Sequence, residues 1–89
     1  MKISEIYDLY VQFPNICTDS RKVVPDSIYF SLKGERFNGN KFAKEALDSG
    51  CEFAIIDEKK YFTKGCILVP NVKVYLQQLA TFHRDQLTI

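Results

Sequence analysis

The sequence has one histidine and three cysteines, and that scarcity removes most metal chemistry. His83 has no histidine partner four residues away, and Cys17, Cys51 and Cys66 form no Cys-x-x-Cys pair. A zinc site wants closely spaced ligand pairs. Cys17 and Cys66 lie beside or within apolar runs, so they read as buried, reduced thiols acting as small hydrophobes. A Cys–His nucleophile pair has only the presence of both residue types in its favour. An excess of either charge is also missing. Twelve Lys and Arg against eleven Asp and Glu leave a net charge of +1. That excludes the strongly basic footprint that duplex nucleic acid selects, and a highly charged disordered tail. No apolar run approaches the ~18–20 residues of a membrane-spanning helix. Glu5 and Asp8 interrupt the stretch that a signal peptide would keep apolar. The chain therefore reads as cytoplasmic, with no nucleic-acid or membrane partner. There is no repeat, low-complexity segment or linker. The 89 residues make one small domain, short for one that must hold a catalytic cleft as well as a core.

What is present is a regular alternation of patterns. Ile3, Ile6, Tyr7 and Tyr10 recur at helical spacing, and Pro14-Asn15 ends that segment. Ile16-Cys17-Thr18 reads as a short strand, followed by the polar turn Asp19-Ser20-Arg21-Lys22. Pro25-Asp26-Ser27 is a second turn. Residues 27–32, Ser-Ile-Tyr-Phe-Ser-Leu, are rich in β-formers. After a loop from Lys33 to Asn40, the residues Phe42, Ala43, Ala46 and Leu47 form the apolar stripe of a helix. Asn38 or Asn40 can cap that helix, and Gly50 can close it. Phe53-Ala54-Ile55-Ile56-Asp57 and Cys66-Ile67-Leu68-Val69 are apolar runs of strand length and suggest the central strands. Residues 72–86 read as a last helix with Leu76, Leu79, Ala80 and His83 on one face, His83 as a packing histidine. The order helix, strand, strand, helix, strand, strand, helix predicts an α/β domain: a mostly buried mixed sheet flanked by helices.

Two segments can carry chemistry. The loop Gly34-Glu35-Arg36-Phe37-Asn38-Gly39 has two glycines five apart, as a P-loop does. Asn40 stands where the P-loop lysine belongs, and no hydroxyl follows it, so a nucleoside triphosphate site is rejected here. The loop is either a plain strand-to-helix connection whose glycines supply special backbone angles, or a ligand loop beside a helix N-terminus. Thr18-Asp19-Ser20-Arg21 is either a self-tied turn or a grip on ribose or phosphate, with two hydroxyls, a carboxylate and a guanidinium in four residues. A small stand-alone enzyme using Ser20 or a cysteine has no base nearby in sequence to support it.

Thr18-Asp19-Ser20-Arg21, the stretch from Pro25 to Gly39, and then Phe42, Ala46 and Gly50 together resemble the N-terminal domain of the Mur ligases. Within that family Leu32-Lys33-Gly34-Glu35-Arg36-Phe37 is most similar to the MurF branch. The MurE branch usually has Gly-His where this chain has Gly34-Glu35. The resemblance implies a domain that binds the UDP end of UDP-N-acetylmuramoyl-tripeptide, for the ATP-dependent addition of D-alanyl-D-alanine in peptidoglycan precursor synthesis. It implies no catalytic residue, cofactor or metal within residues 1–89. ATP and magnesium would belong to a central domain, which with the C-terminal domain lies outside this sequence, and the fragment alone would be inactive. That central ligase domain is then a partner within the full chain. By the same resemblance Thr18 and Ser20 match the uridine-contacting pair, Arg21 completes the Asp-Ser-Arg signature, and Glu35, Arg36 and Phe37 match the segment lining the uracil. Lys33 adds charge toward a diphosphate as a hypothesis with no family residue behind it. Two positions depart from the pattern: Asp26 where Pro-Gly-Asp is common, and Asn40 where histidine is common. The alternatives are the equivalent MurE-like domain, or an interaction module of the same fold marked by an exposed patch of Tyr7, Tyr10, Tyr61 and Phe62.

Overall fold

The computed structural model describes residues 3–87, with side chains as far as Phe82. Seven elements follow in the expected order: α1 (Ile3–Gln12), β1 (Asn15–Cys17), β2 (Ser27–Phe30), α2 (Ala43–Asp48), β3 (Phe53–Ile56), β4 (Cys66–Leu68) and α3 (Val72–Leu87). Short 3₁₀ turns at Gly39–Phe42 and Lys59–Tyr61 complete the connections. The strands lie in the order β1-β2-β3-β4, and every pairing is parallel. The sheet is thus not mixed. Pairing is a non-local property that strand composition does not encode, whereas the helical crossover from β2 to β3 favours parallel neighbours.

Alternation along the strands splits the core into two layers. Ile28, Phe30 and Ile55 face α1 and α3, where Ile6, Val69, Val72 and Leu79 join them. Tyr29, Ala54, Ile56 and Cys66 face α2 and meet Ala43 and Ala46. Alanines on both sides of that second layer let α2 lie close to the sheet. The first layer is built of larger side chains, each contributing about 1.5–3 kcal/mol through full burial. Ile6 is the fully buried member of the α1 stripe, with Ile3, Tyr7 and Tyr10 half-buried beside it.

The central strands are β2 and β3, and β4 is an edge. All four residues of β2 are buried, whereas Leu68 of β4 is exposed. An apolar run that reads as central is here covered on two sides by side chains of its neighbours but left open along its outer edge. On α3 the inward residues are Val72, Tyr75, Leu76 and Leu79, while Ala80 is exposed. The side chain of His83 lies outside the described residues. All three cysteines are buried and unbridged, and burial pushes the Cys51 thiol up from its ordinary value.

One carboxylate joins three elements. Asp57 follows β3, and its Oδ2 accepts from the Val72 amide at 3.1 Å, holding the first turn of α3. Its Oδ1 accepts from Asn40 Nδ2 at 3.0 Å and meets Lys33 Nζ at 3.2 Å. Burial pushes the Asp57 carboxyl up, but the Val72 amide, Asn40 and Lys33 outweigh it and hold it below its ordinary value. A lowered native pKa means that ionised Asp57 stabilises the fold above its unfolded pKa of about 3.9. That contribution is lost as pH falls through the lower native value. Urea unfolding across pH 2–7 should therefore show an acid arm that flattens in Asp57→Asn. Asp57→Ala, which removes the helix cap and strands Asn40, should cost about 2–3 kcal/mol at neutral pH.

Candidate functional site

The turn after β1 is tied to itself. Asp19 Oδ1 accepts from the Arg21 amide at 2.9 Å and from Arg21 Nε at 3.1 Å, while Nη2 donates to Oδ2 at 3.2 Å. The Lys22 amide closes the turn on the Asp19 carbonyl, and the Cys17 thiol donates to that same carbonyl from below at 3.1 Å. The Arg21 hydrogen bonds hold the Asp19 carboxyl below its ordinary value and the guanidinium above its own. The pair is solvent-exposed, so its value is geometric: it fixes where the turn points rather than adding stability. Thr18 is exposed beside it and Ser20 is buried.

The loop after β2 is held by a close approach. A Cβ on Gly39 would lie 2.7 Å from the Leu32 carbonyl oxygen and 2.9 Å from its nitrogen, so only glycine lets the loop return against its own strand. The Gly39 amide donates to Leu32 O, and its carbonyl accepts from buried Tyr29 Oη at 2.9 Å. Burial pushes the Tyr29 phenol up to about 12, keeping it a donor across the physiological range. Neither Gly34 nor Gly39 adopts a positive φ, so special backbone angles are not what these glycines supply. Asn38 caps the following 3₁₀ turn by accepting from the Asn40 amide. Its side-chain amide also donates to Glu58. Asn40 turns inward, donating to Asn38 and Asp57 and accepting from the amides of Asp57 and Glu58.

These two tied segments, with the start of α2, enclose a cavity of about 570 Å³ lined by Thr18, Asp19, Ser20, Arg21, Phe37, Phe42 and Glu45. Phe37 stacks on Phe42 with ring centroids 5.5 Å apart and planes 10° from parallel, yet remains 49% exposed. The stack anchors the ring and leaves a flat apolar surface open to the cavity. Four sequence-expected residues, Thr18, Ser20, Arg21 and Phe37, therefore meet in one place. Glu35 and Arg36 do not join them. They border an adjoining hollow of about 400 Å³ with Phe37, Asn38, Lys41, Lys60 and Tyr61, so Phe37 stands in the wall of both. Lys33 is absent from the cavity wall, because Asp57 and Glu58 draw its charge elsewhere. Phe42 and Glu45 were not among the expected site residues. Both belong to the amphipathic α2 segment, where a stripe position and a wet-face position gave no hint of a shared cavity.

The alternatives fare differently. No cysteine is exposed to act as a nucleophile. Tyr7 and Tyr10 pack in the seam between α1 and α3 rather than forming a patch with Tyr61 and Phe62. No helix among the described residues is long and apolar enough to cross a membrane.

The family profile described as "Mur ligase family, catalytic domain" matches residues 12–84. A UDP-N-acetylmuramoyl-tripeptide–D-alanyl-D-alanine ligase of Buchnera aphidicola is 32% identical over 79 residues, covering 85% of this chain and 17% of the relative. A UDP-N-acetylmuramoyl-L-alanyl-D-glutamate–2,6-diaminopimelate ligase of Clostridium acetobutylicum is 39% identical over 82 residues, covering 89% and 17%. Among solved structures, MurF of Acinetobacter baumannii superposes with a TM-score of 0.73 at 30% identity, covering 83% of this chain and 16% of that one. The chain thus spans about one sixth of the length of the proteins it matches.

The geometry separates the two loop glycines. Gly39→Ala should cost about 1–3 kcal/mol in chemical denaturation, because the new methyl meets backbone that cannot step aside. Gly34→Ala, with nothing within 4 Å, should stay within about 0.5 kcal/mol of the parent.

Proposed function

The chain belongs to the Mur ligase family as an N-terminal domain, and we propose that it holds the uridine end of a UDP-N-acetylmuramoyl-peptide. The observation that carries this reading is the meeting of Thr18, Ser20, Arg21 and Phe37 around one cavity of nucleoside-accommodating size. The exposed face of Phe37 receives the uracil ring. Thr18 and Ser20 offer hydroxyls to base or ribose oxygens, and Arg21, fixed by Asp19, presents its remaining donors at the rim. Binding and orientation are the whole contribution of these residues.

The reaction served is the addition of D-alanyl-D-alanine, as most of these relatives are named, and the family resemblance makes it ATP-dependent. A MurE-like role is favoured by identities of 39% over 82 residues and 42% over 45 residues to two diaminopimelate-adding relatives. The names of both kinds of relative begin with UDP-N-acetylmuramoyl, which is the part of the substrate that this cavity suits. ATP and magnesium do not fit residues of this chain. The glycine loop packs Gly39 on the Leu32 backbone, and Asn40, where a P-loop has lysine, turns inward to Asp57. In this reading phosphoryl chemistry belongs to a central domain of the full-length ligase, acting in the cytoplasm.

Titration of the 89-residue chain with UDP, followed by amide NMR, should perturb Thr18–Arg21 and Phe37. Phe37→Ala should weaken binding by about 1–3 kcal/mol, the worth of one stacked base. Perturbations confined to other segments, or an unchanged affinity in Phe37→Ala, would refute the assignment.

A further inference from the structure

A further cavity, of about 220 Å³, opens beside the Asp57 clasp. Ser31, Lys33, Asp57, Pro70, Asn71 and Lys73 line it, and it shares no residue with the Thr18–Glu45 cavity. It lies beside the first turn of α3, next to the carboxylate that holds that turn.

Two donors on residues lining this cavity have no partner among the described residues. Ser31 is fully buried, and its Oγ has no hydrogen-bond partner among the described residues. A buried hydroxyl left unpaired is costly, and its persistence calls for an explanation. The second donor is the Lys73 amide. The Val72 amide is taken by Asp57 Oδ2, the Val74 amide by Asn71 Oδ1 at 3.1 Å and the Tyr75 amide by the Asn71 carbonyl at 3.2 Å. Lys73 alone in that first turn is left without a partner among the described residues, at the positive end of a 16-residue helix. The Lys73 side chain adds a cation that forms no ion pair among the described residues.

The one carboxylate in the wall does not oppose an anion. Asp57 already receives Lys33, Asn40 and the Val72 amide. Unsatisfied donors and a cation, with the acid neutralised behind them, select an oxyanion over a metal or a neutral group. We propose that Ser31 and Lys73, at the N-terminus of α3, form a binding site for a phosphate-type oxyanion, separate from the uridine cavity and independent of the reading given for it.

Inorganic phosphate is the probe, added to the 89-residue chain at constant ionic strength with chloride as the control. The amides of Ser31, Lys33 and Lys73 should shift in a saturable manner. Ser31→Ala and Lys73→Gln should each weaken the response by about fivefold or more, while Lys44→Gln, on the exposed side of α2, leaves it unchanged. Ser31→Ala should also keep or raise the unfolding midpoint, since it removes an unpaired hydroxyl. A parallel UDP titration identifies the source. Joint movement of Thr18–Arg21 and Ser31–Lys73 makes the oxyanion a phosphoryl group of the nucleotide, whereas movement of Ser31–Lys73 by phosphate alone makes it a second ligand. Either result supports the site. No saturable shift at Ser31 and Lys73, a response that survives Lys73→Gln, or a Ser31→Ala chain that is clearly destabilised would overturn it. The last outcome would mean that the hydroxyl is satisfied by an internal water.

Discussion

The buried contact between Asn40 and Asp57 is the constraint on which the rest of the architecture depends. Asn40 carries the return of the loop after β2, and Asp57 carries both the end of β3 and the first amide of α3. An amide is suited to this junction because it donates and accepts at once, satisfying a carboxylate and two backbone N–H groups from one position. With Lys33 and the helix amide also on Asp57, the carboxylate is paired well enough to remain ionised where burial alone would disfavour charge. Cutting this contact would release the glycine loop on one side and the α3 N-terminus on the other.

That junction also divides the carboxyl end of the sheet into two regions of opposite character. On the α2 side lie an open aromatic ring, two hydroxyls and an arginine locked by its own neighbour. On the α3 side lie a buried hydroxyl, a helix amide and a lysine. The proposed uridine site occupies the first region alone. Asp19 is matched to Arg21, and Asp57 and Glu58 share Lys33, so charge beside both regions is largely compensated.

The order of the elements was legible because the helical stripes carry their own periodicity, and the apolar runs are of strand length and bounded by turn residues. The sheet's connectivity was not. Parallel pairing throughout and the edge position of Cys66–Leu68 depend on which strand lies beside which, and an apolar run reads alike at an edge and at a centre. At the site, the clustering of Thr18, Ser20, Arg21 and Phe37 followed from a resemblance carried by those very residues. The separation of Glu35 and Arg36 from them did not, because a loop's two sides have the same sequence neighbourhood. Gly39 illustrates the difference in kind. Its presence was plain, but its reason is a backbone contact with Leu32, not a dihedral angle. Asp26 is the reverse case. It departs from the glycine common in the family, and its φ of 57° shows that the position still demands the left-handed conformation that aspartate tolerates.

The strand order β1-β2-β3-β4 also bears on how such a chain is assembled. Each strand pairs with the one made just before it, so the sheet grows at one edge as synthesis proceeds, with little search among alternatives. The two faces mature at different times. The layer beneath α2 closes within the middle of the chain. The layer of Ile28, Phe30 and Ile55 waits for its cover until residues 72–82 arrive to pack beside α1. Until then Ile28, Phe30 and Ile55 have only α1 as cover, so this face is the one a nascent chain leaves half-open to water.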